Sequence, residues 1–329
     1  MPPRRPIVRI ARVYGSFGRP PRRRRYALAV PELVRIFIDV LLPVFGVAGA
    51  GYAAARIAKL DHRPLATLAY WLLAPAFIFS VLSDPTALDG PVVQMMASSG
   101  VTVSIVWIFV WVSLRRQPGD RRVIDALSSS MGNVGNLGFP VVLFALGEAA
   151  LTAAAIHFLA VTSCIFGFGV TAGSRLRSGN SLIALRRVFT TPAILAVPAA
   201  FIMAATESTL PTAADRFIGL LSDAMIPVML LTLGIQLAST RVAAGWRRLS
   251  FITTAKLVLS PLVFLAVAFL FRLEGVPRDS GLVLAAMPTA VLVGLVGLEF
   301  DLETEVASAA ILVTSVVAMG SLSVLLTLV

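Results

Sequence analysis

Charge is scarce in this chain. Charged residues are 14% of the 329, against about 25% in a soluble domain, which excludes a water-facing surface over most of its length. The single cysteine, Cys164, excludes an internal disulfide, and with only two histidines there are too few soft ligands for a metal cluster. No Gly-Lys-Ser/Thr ending follows a strand, so there is no phosphate loop. No gap between apolar stretches is long enough for a soluble domain. What fills the chain instead is apolar: 57% of residues are hydrophobic and the mean hydropathy is +0.88. These features describe an all-α polytopic membrane protein.

The net charge of +11 does not imply nucleic acid. Nine arginines lie within the first 25 residues (Arg4, Arg5, Arg9, Arg12, Arg19 and Arg22 to Arg25), and the remainder punctuate short gaps. Residues 1–31 read as a basic tail, disordered or an upstream extension, and not as a signal peptide, because no compact apolar core with a cleavage site follows. Ten apolar segments follow, at 33–55, 65–83, 92–114, 123–146, 149–172, 189–206, 216–238, 251–271, 280–298 and 305–328, each near the ~20 residues a bilayer requires. Arginines fill the first, third, fifth and seventh gaps, and the second and fourth carry acids. The positive-inside bias makes the odd gaps cytoplasmic, with the amino terminus outside and 174–188 a cytoplasmic linker. The expected location is a bacterial-type inner membrane.

The prolines recur. Pro43, Pro75 and Pro140 have counterparts Pro198, Pro227 and Pro288 at offsets of 155, 152 and 148 residues. Leu73-Ala-Pro-Ala-Phe-Ile-Phe-Ser80 also matches Met225-Ile-Pro-Val-Met-Leu-Leu-Thr232 in pattern. Two five-helix repeats, 32–173 and 189–329, account for this. Five is odd, so the second copy enters the membrane inverted, and such repeats place a site at the midplane between broken helices. The stretch 128–147 is the candidate. It carries Gly132, Gly135, Gly138, Asn133, Asn136 and Pro140. Gly weakens a helix by about 1 kcal/mol relative to Ala, and interior Pro by about 3 kcal/mol. Pro140 also removes the partner of the Asn136 carbonyl. In hydrocarbon such a break persists only when buried or lining a polar cavity. Asn133 and Asn136 would share a face if helical.

Several stretches carry a family likeness: Leu41-Leu-Pro-Val-Phe-Gly-Val-Ala-Gly-Ala-Gly-Tyr52, Leu73-Ala-Pro-Ala-Phe-Ile-Phe-Ser80, Gly132-Asn-Val-Gly-Asn-Leu-Gly-Phe-Pro140, Leu233-Gly-Ile-Gln-Leu237 and Ala285-Ala-Met-Pro-Thr289. In this order the chain resembles the auxin efflux carrier family from about residue 36 onward. The resemblance implies a scaffold of segments 1, 2, 6 and 7 and a transport unit of segments 3–5 and 8–10. It also implies fourth and ninth segments that unwind and cross, and small organic anions as substrates. By position, Asn133 matches the Asn after the crossover residue of plant carriers, which have Pro where Gly132 stands. Pro288 matches the ninth-segment crossover Pro, and Thr289 falls where plant carriers have Gln.

These readings make Asn133, Asn136, Gly132, Pro140, Pro288 and Thr289 the candidates for substrate or ion contact. His157, Gln236 and Ser80 are candidate proton or cavity polar groups, with Gln94 and Thr232 as further neutral ones. Lys256 is expected near the cytoplasmic end of its segment, snorkelling. Asp223 is expected near a segment end or paired with Arg216, and Trp107 and Trp111 as interfacial anchors. Function reads as a secondary transporter of organic anions with an elevator mechanism, without a cofactor, driven by H+ or Na+. A homodimer would form through the scaffold. A sodium-coupled symporter of the bile-acid type is the alternative, but it keeps acidic residues near its crossover, and none is read in the fourth segment. A receptor without transport is the non-transport alternative. An enzyme is disfavoured because His62 and His157 fall in separate contexts and Ser128 to Ser130 have no evident base.

Overall fold

The computed structural model describes residues 30–88, 90–177, 190–240 and 244–329, with side chains from residue 33. The basic tail to residue 29 and most of the 174–188 linker lie outside the described residues. In chain order the helices are α1 (Leu33–Ala58), α2 (Arg63–Leu82), α3 (Val92–Ser113), α4 (Gly119–Ser130), α5 (Val134–Leu146), α6 (Glu148–Leu176), α7 (Pro192–Ala205), α8 (Thr212–Ser239), α9 (Trp246–Leu270), α10 (Gly275–Ala285), α11 (Val291–Glu299) and α12 (Thr304–Leu325). Among the described residues, seven of these (α1, α2, α3, α6, α8, α9 and α12) are long and apolar enough to cross a membrane. The fourth apolar segment is split into α4 and α5, and the ninth into α10 and α11.

Four helices take up a proline by widening the preceding turn. Leu42 donates to the Phe37 carbonyl, Ala74 to Ala69, Phe139 to Val134 and Ser260 to Ala255, each reaching five residues back. The next residue is Pro43, Pro75, Pro140 or Pro261. A proline ring clashes with the carbonyl four residues earlier, and a single π-turn displaces that carbonyl while keeping most of the ladder bonded. This corrects the reading of Pro140 as the point of rupture. Pro140 sits at the start of the regular part of α5, where its missing N–H does little harm. The chain breaks upstream, at Met131–Asn133.

The helices pack in two sets. α1 lies mainly on α8, and α2 on α7 and α8; α3 packs on α4, α6 and α9, α10 on α6 and α9, and α12 on α11 and α9. Small residues permit the closest contact. A Cβ built on Gly51 would meet the backbone of Leu231, and one on Gly234 would meet the carbonyl of Ala48. α1 and α8 therefore touch backbone to backbone, which is how helices gain packing when lipid removes the hydrophobic drive between them. Outward-facing Leu72, Phe109, Phe269 and Val316 are exposed, as suits contact with acyl chains.

Trp107 is not an interfacial anchor. It is 8% exposed and stacks on Trp111 and on Phe168 of α6, each with ring centroids 5.5 Å apart. The Arg122 guanidinium lies 3.9 Å from the Trp111 ring and donates to the Trp111 carbonyl. The pair thus joins α3, α4 and α6, with a cation–π contact at its edge.

The glycine contact predicts an asymmetry. Gly234→Ala forces α1 and α8 apart and should cost about 1–3 kcal/mol as overpacking, read as a lower thermal midpoint in detergent. Gly46→Ala, where an added methyl meets nothing within 4 Å, should leave the midpoint unchanged or raise it, because Ala favours the helix.

Candidate functional site

Two interrupted helices meet at their gaps. Gly132 and Thr289 form an antiparallel bridge. The Asn133 N–H donates to the Pro288 carbonyl at 2.7 Å, and the Ala290 N–H to the Met131 carbonyl at 2.9 Å. Two non-helical stretches thus satisfy each other's backbone in a region that offers no water.

Side chains also reach the carbonyl ends. α10 ends with four carbonyls that lack intrahelical partners. Leu282 and Val283 accept from the Ala286 N–H, Leu284 from the Met287 N–H, and Ala285 from the Lys256 ammonium at 2.8 Å. At the end of α4, Leu127 accepts from the Met131 N–H and Ser128 from the Thr289 hydroxyl at 2.7 Å. The Thr289 N–H donates to the Thr314 hydroxyl of α12 at 3.0 Å. Thr289 is fully buried, and it connects α4, the gap and α12.

The amino-terminal ends are not closed in this way. The first-turn N–H groups of Gly135 and Asn136 in α5, and of Val291 and Leu292 in α11, have no acceptor among the described residues. The Asn133 amide nitrogen is buried without a partner, and Asn133 is 4% exposed. Unpaired donors at helix starts carry partial positive charge and favour an anion. Gly135 looks across to Met229 of α8 and Phe158 of α6, so this donor-rich start lies where the two sets of helices face each other. Asn133 precedes the helix and Asn136 lies in its π-turn, so the two do not share an α-helical face as expected.

Lys256 corrects its expected place. It is 1% exposed, and its ammonium donates to Ser260 Oγ at 3.2 Å as well as to Ala285. α9 starts at Trp246, five residues before the apolar segment does, so Lys256 lies ten residues in. At 1.5 Å per residue that is about 15 Å, half the hydrocarbon thickness. The available signal was a cation with a serine four residues on, inside an otherwise apolar run.

The other candidates are dispersed. His157 is 2% exposed, with Nδ1 2.8 Å from Ser99 Oγ and its ring edge-on to Phe264; it joins α6 to α3 and α9. Ser80 and Gln236 are half-buried on α2 and α8, and neither hydrogen-bonds to the gaps. Thr232 bonds to the Val228 carbonyl within α8, and Gln94 is exposed. Asp223 forms no ion pair with Arg216 among the described residues, and its Oδ1 is buried without a hydrogen bond. A cavity of about 400 Å³ opens between the end of α2 and the starts of α3, α6 and α10, with Met95, Thr152 and Ile156 on its walls. Its inner wall lies one turn from Ser99 and His157.

An acid does lie in the fourth segment. Asp125 of α4 is fully buried and pairs with Arg248 of α9 at 2.7 Å, with Arg121 3.5 Å away. Arg248 also pairs with Glu303 at the start of α12. Arg177 of α6 donates to the carbonyls of Phe300 and Asp301 and reaches Asp120. These contacts fasten the ends of α4, α6, α9 and α12 where the arginine-rich gaps lie.

The geometry describes a multi-pass membrane protein with two interrupted helices joined at a donor-rich break. The model of the family described as "Membrane transport protein" matches residues 36–171 and 178–326. The chain belongs to this family, that of the auxin efflux carriers. It is 27% identical over 305 residues to a "Putative malonate transporter" of Rhizobium meliloti, covering 88% of this chain and 95% of the relative. It is 24% identical over 293 residues to an "Uncharacterized transporter" of Methanothermobacter thermautotrophicus, covering 88% and 93%. A transporter of Methanocaldococcus jannaschii, also uncharacterized, is 24% identical over 293 residues, covering 84% and 94%. The protein is a membrane transporter of this family, which implies a small-molecule substrate.

The buried ion network carries its own prediction. Arg248→Met leaves the buried Asp125 with only the longer Arg121 contact, and should cost no more than the about 3–5 kcal/mol of a fully broken buried pair. Pairing it with Asp125→Leu should recover much of that loss, and a double-mutant cycle on thermal midpoints reads the coupling.

Proposed function

We propose that this protein is a secondary active transporter of small organic anions, with dicarboxylates of malonate size as the substrate class. The observation that carries this reading is the group of unpaired donors at the break. The Asn133 amide and the N–H groups of Gly135, Asn136, Val291 and Leu292, which have no acceptor among the described residues, all belong to the gaps or to the first turns that follow them. A carboxylate needs several acceptable donors and little else, and among the described residues no acidic side chain hydrogen-bonds at the gaps. The likeness to a relative named as a malonate transporter supports the same class.

On this reading the chain is two inverted five-helix repeats, with α4–α5 and α10–α11 as the fourth and ninth helices crossing at the midplane. The bridge pairs Gly132 with Thr289, and its two reciprocal hydrogen bonds make Met131 rather than Pro140 the counterpart of Pro288. The offset is 288 − 131 = 157 residues, close to the 155 and 152 of the other proline pairs. α1, α2, α7 and α8 form the scaffold, joined by the close α1–α8 contact, and the remaining helices form the moving unit, fastened by Arg248 and Arg177. An elevator motion slides the second set along the first. Asn133 orients the anion, and Thr289 acts through backbone closure and not by touching substrate.

Uptake of radiolabelled malonate into proteoliposomes tests this. Wild type should accumulate it under an imposed ion gradient or membrane potential. Asn133→Ala should lower uptake at least tenfold, as expected for losing a hydrogen bond to a charged group, with the thermal midpoint little changed. Uptake that is independent of every gradient and indifferent to Asn133→Ala would refute the proposal.

A further inference from the structure

The Lys256 ammonium is buried with no carboxylate within ion-pair distance among the described residues. A stranded charge is costly in such a setting. It is tolerated because of where it sits: Nζ donates to the Ala285 carbonyl, the last of α10, and to Ser260 Oγ. The end of a helix carries partial negative charge, which a cation offsets. On the other side lies Gly132, whose missing side chain leaves the room; a Cβ there would stand 3.6 Å from Cε and Nζ and 3.2 Å from the Leu284 carbonyl. The ammonium is thus wedged behind the bridged gaps, against Gly132. Asn133 follows Gly132 in the chain, and its amide nitrogen is buried without a partner.

We propose that Lys256 is a tethered resident cation. It occupies the place between the Ala285 carbonyl and the Ser260 hydroxyl that a soluble cation would otherwise fill, so that an anion held at Asn133 is charge-balanced without sodium. Lys256 is a positioning residue: it acts on the anion through the bridge and the end of α10, and does not touch it. Nearby His157 and Ser99 supply no competing anion, because the imidazole is paired with the serine hydroxyl. This inference rests on the anion-transporter reading for its consequence, though the resident-cation role has its own readout.

The test uses purified protein in detergent, with malonate as the probe and chloride salts of sodium, choline or ethylammonium. Wild type should show the same thermal midpoint and the same malonate-induced shift in sodium as in choline. Lys256→Ala should lose the malonate shift in choline and have a lower midpoint, and ethylammonium or sodium should restore both by entering the vacated place. Lys256→Met fills that place with an apolar chain and should not be rescued. Lys256→Gln keeps an N–H donor for the Ala285 carbonyl without the charge; it provides the uncharged variant should Lys256→Ala unfold, and it should lose the malonate shift. A wild-type shift that appears only in sodium overturns the proposal, as does a full shift in choline for Lys256→Ala or Lys256→Gln. If wild type shows no malonate shift at all, the anion reading fails and the midpoints decide alone: recovery of Lys256→Ala by ethylammonium supports the resident cation, and indifference to every cation overturns it.

Discussion

The structure depends on the closure of two broken helices in a medium without water. Each helix end exposes backbone groups that cost several kcal/mol if left bare in hydrocarbon. Here one gap closes the other through the Gly132–Thr289 bridge. The remaining carbonyl ends go to Thr289 and Lys256. The carbonyls of Leu127, Ser128 and Leu282 to Ala285 are satisfied, while the N–H donors at the starts of α5 and α11 remain. Those donors carry the proposed preference for an anion.

The scarce charges are placed accordingly. Arg248, Asp125 and Glu303 form one cluster, Arg177 with Asp120 and the Phe300–Asp301 turn a second, and Lys256 stands alone behind the break. The first two brace helices within one set and keep its internal geometry fixed. The contact of Gly135 with Met229 between the sets is apolar. Such internal bracing fits the elevator motion proposed above.

Much of this was legible in the residues. The arrangement of Gly, Asn and Pro at 128–147 marked a discontinuous helix, and the order of motifs marked the family. The location of the break was not legible from Pro140, because a proline breaks a helix only when the preceding turn cannot widen, and here Phe139 reaches back to Val134. Lys256 was misplaced for a related reason. Hydropathy trimmed Trp246-Arg247-Arg248 from the start of α9, although Arg248 is neutralised by Asp125 and Glu303 and can belong to the helix. Trp107 looked like an anchor because sequence shows spacing but not the facing Phe168. In each case the missing information was a tertiary partner.

In the proposed function, the unpaired donors at the starts of α5 and α11 together hold the anion. Hydrogen–deuterium exchange followed by mass spectrometry, with and without malonate, tests it most directly. Exchange should slow in peptides spanning 131–140 and 286–295 and remain unchanged in peptides from the α1–α8 contact. Protection confined to only one of the two gaps, or appearing elsewhere while both gaps exchange as before, would contradict it.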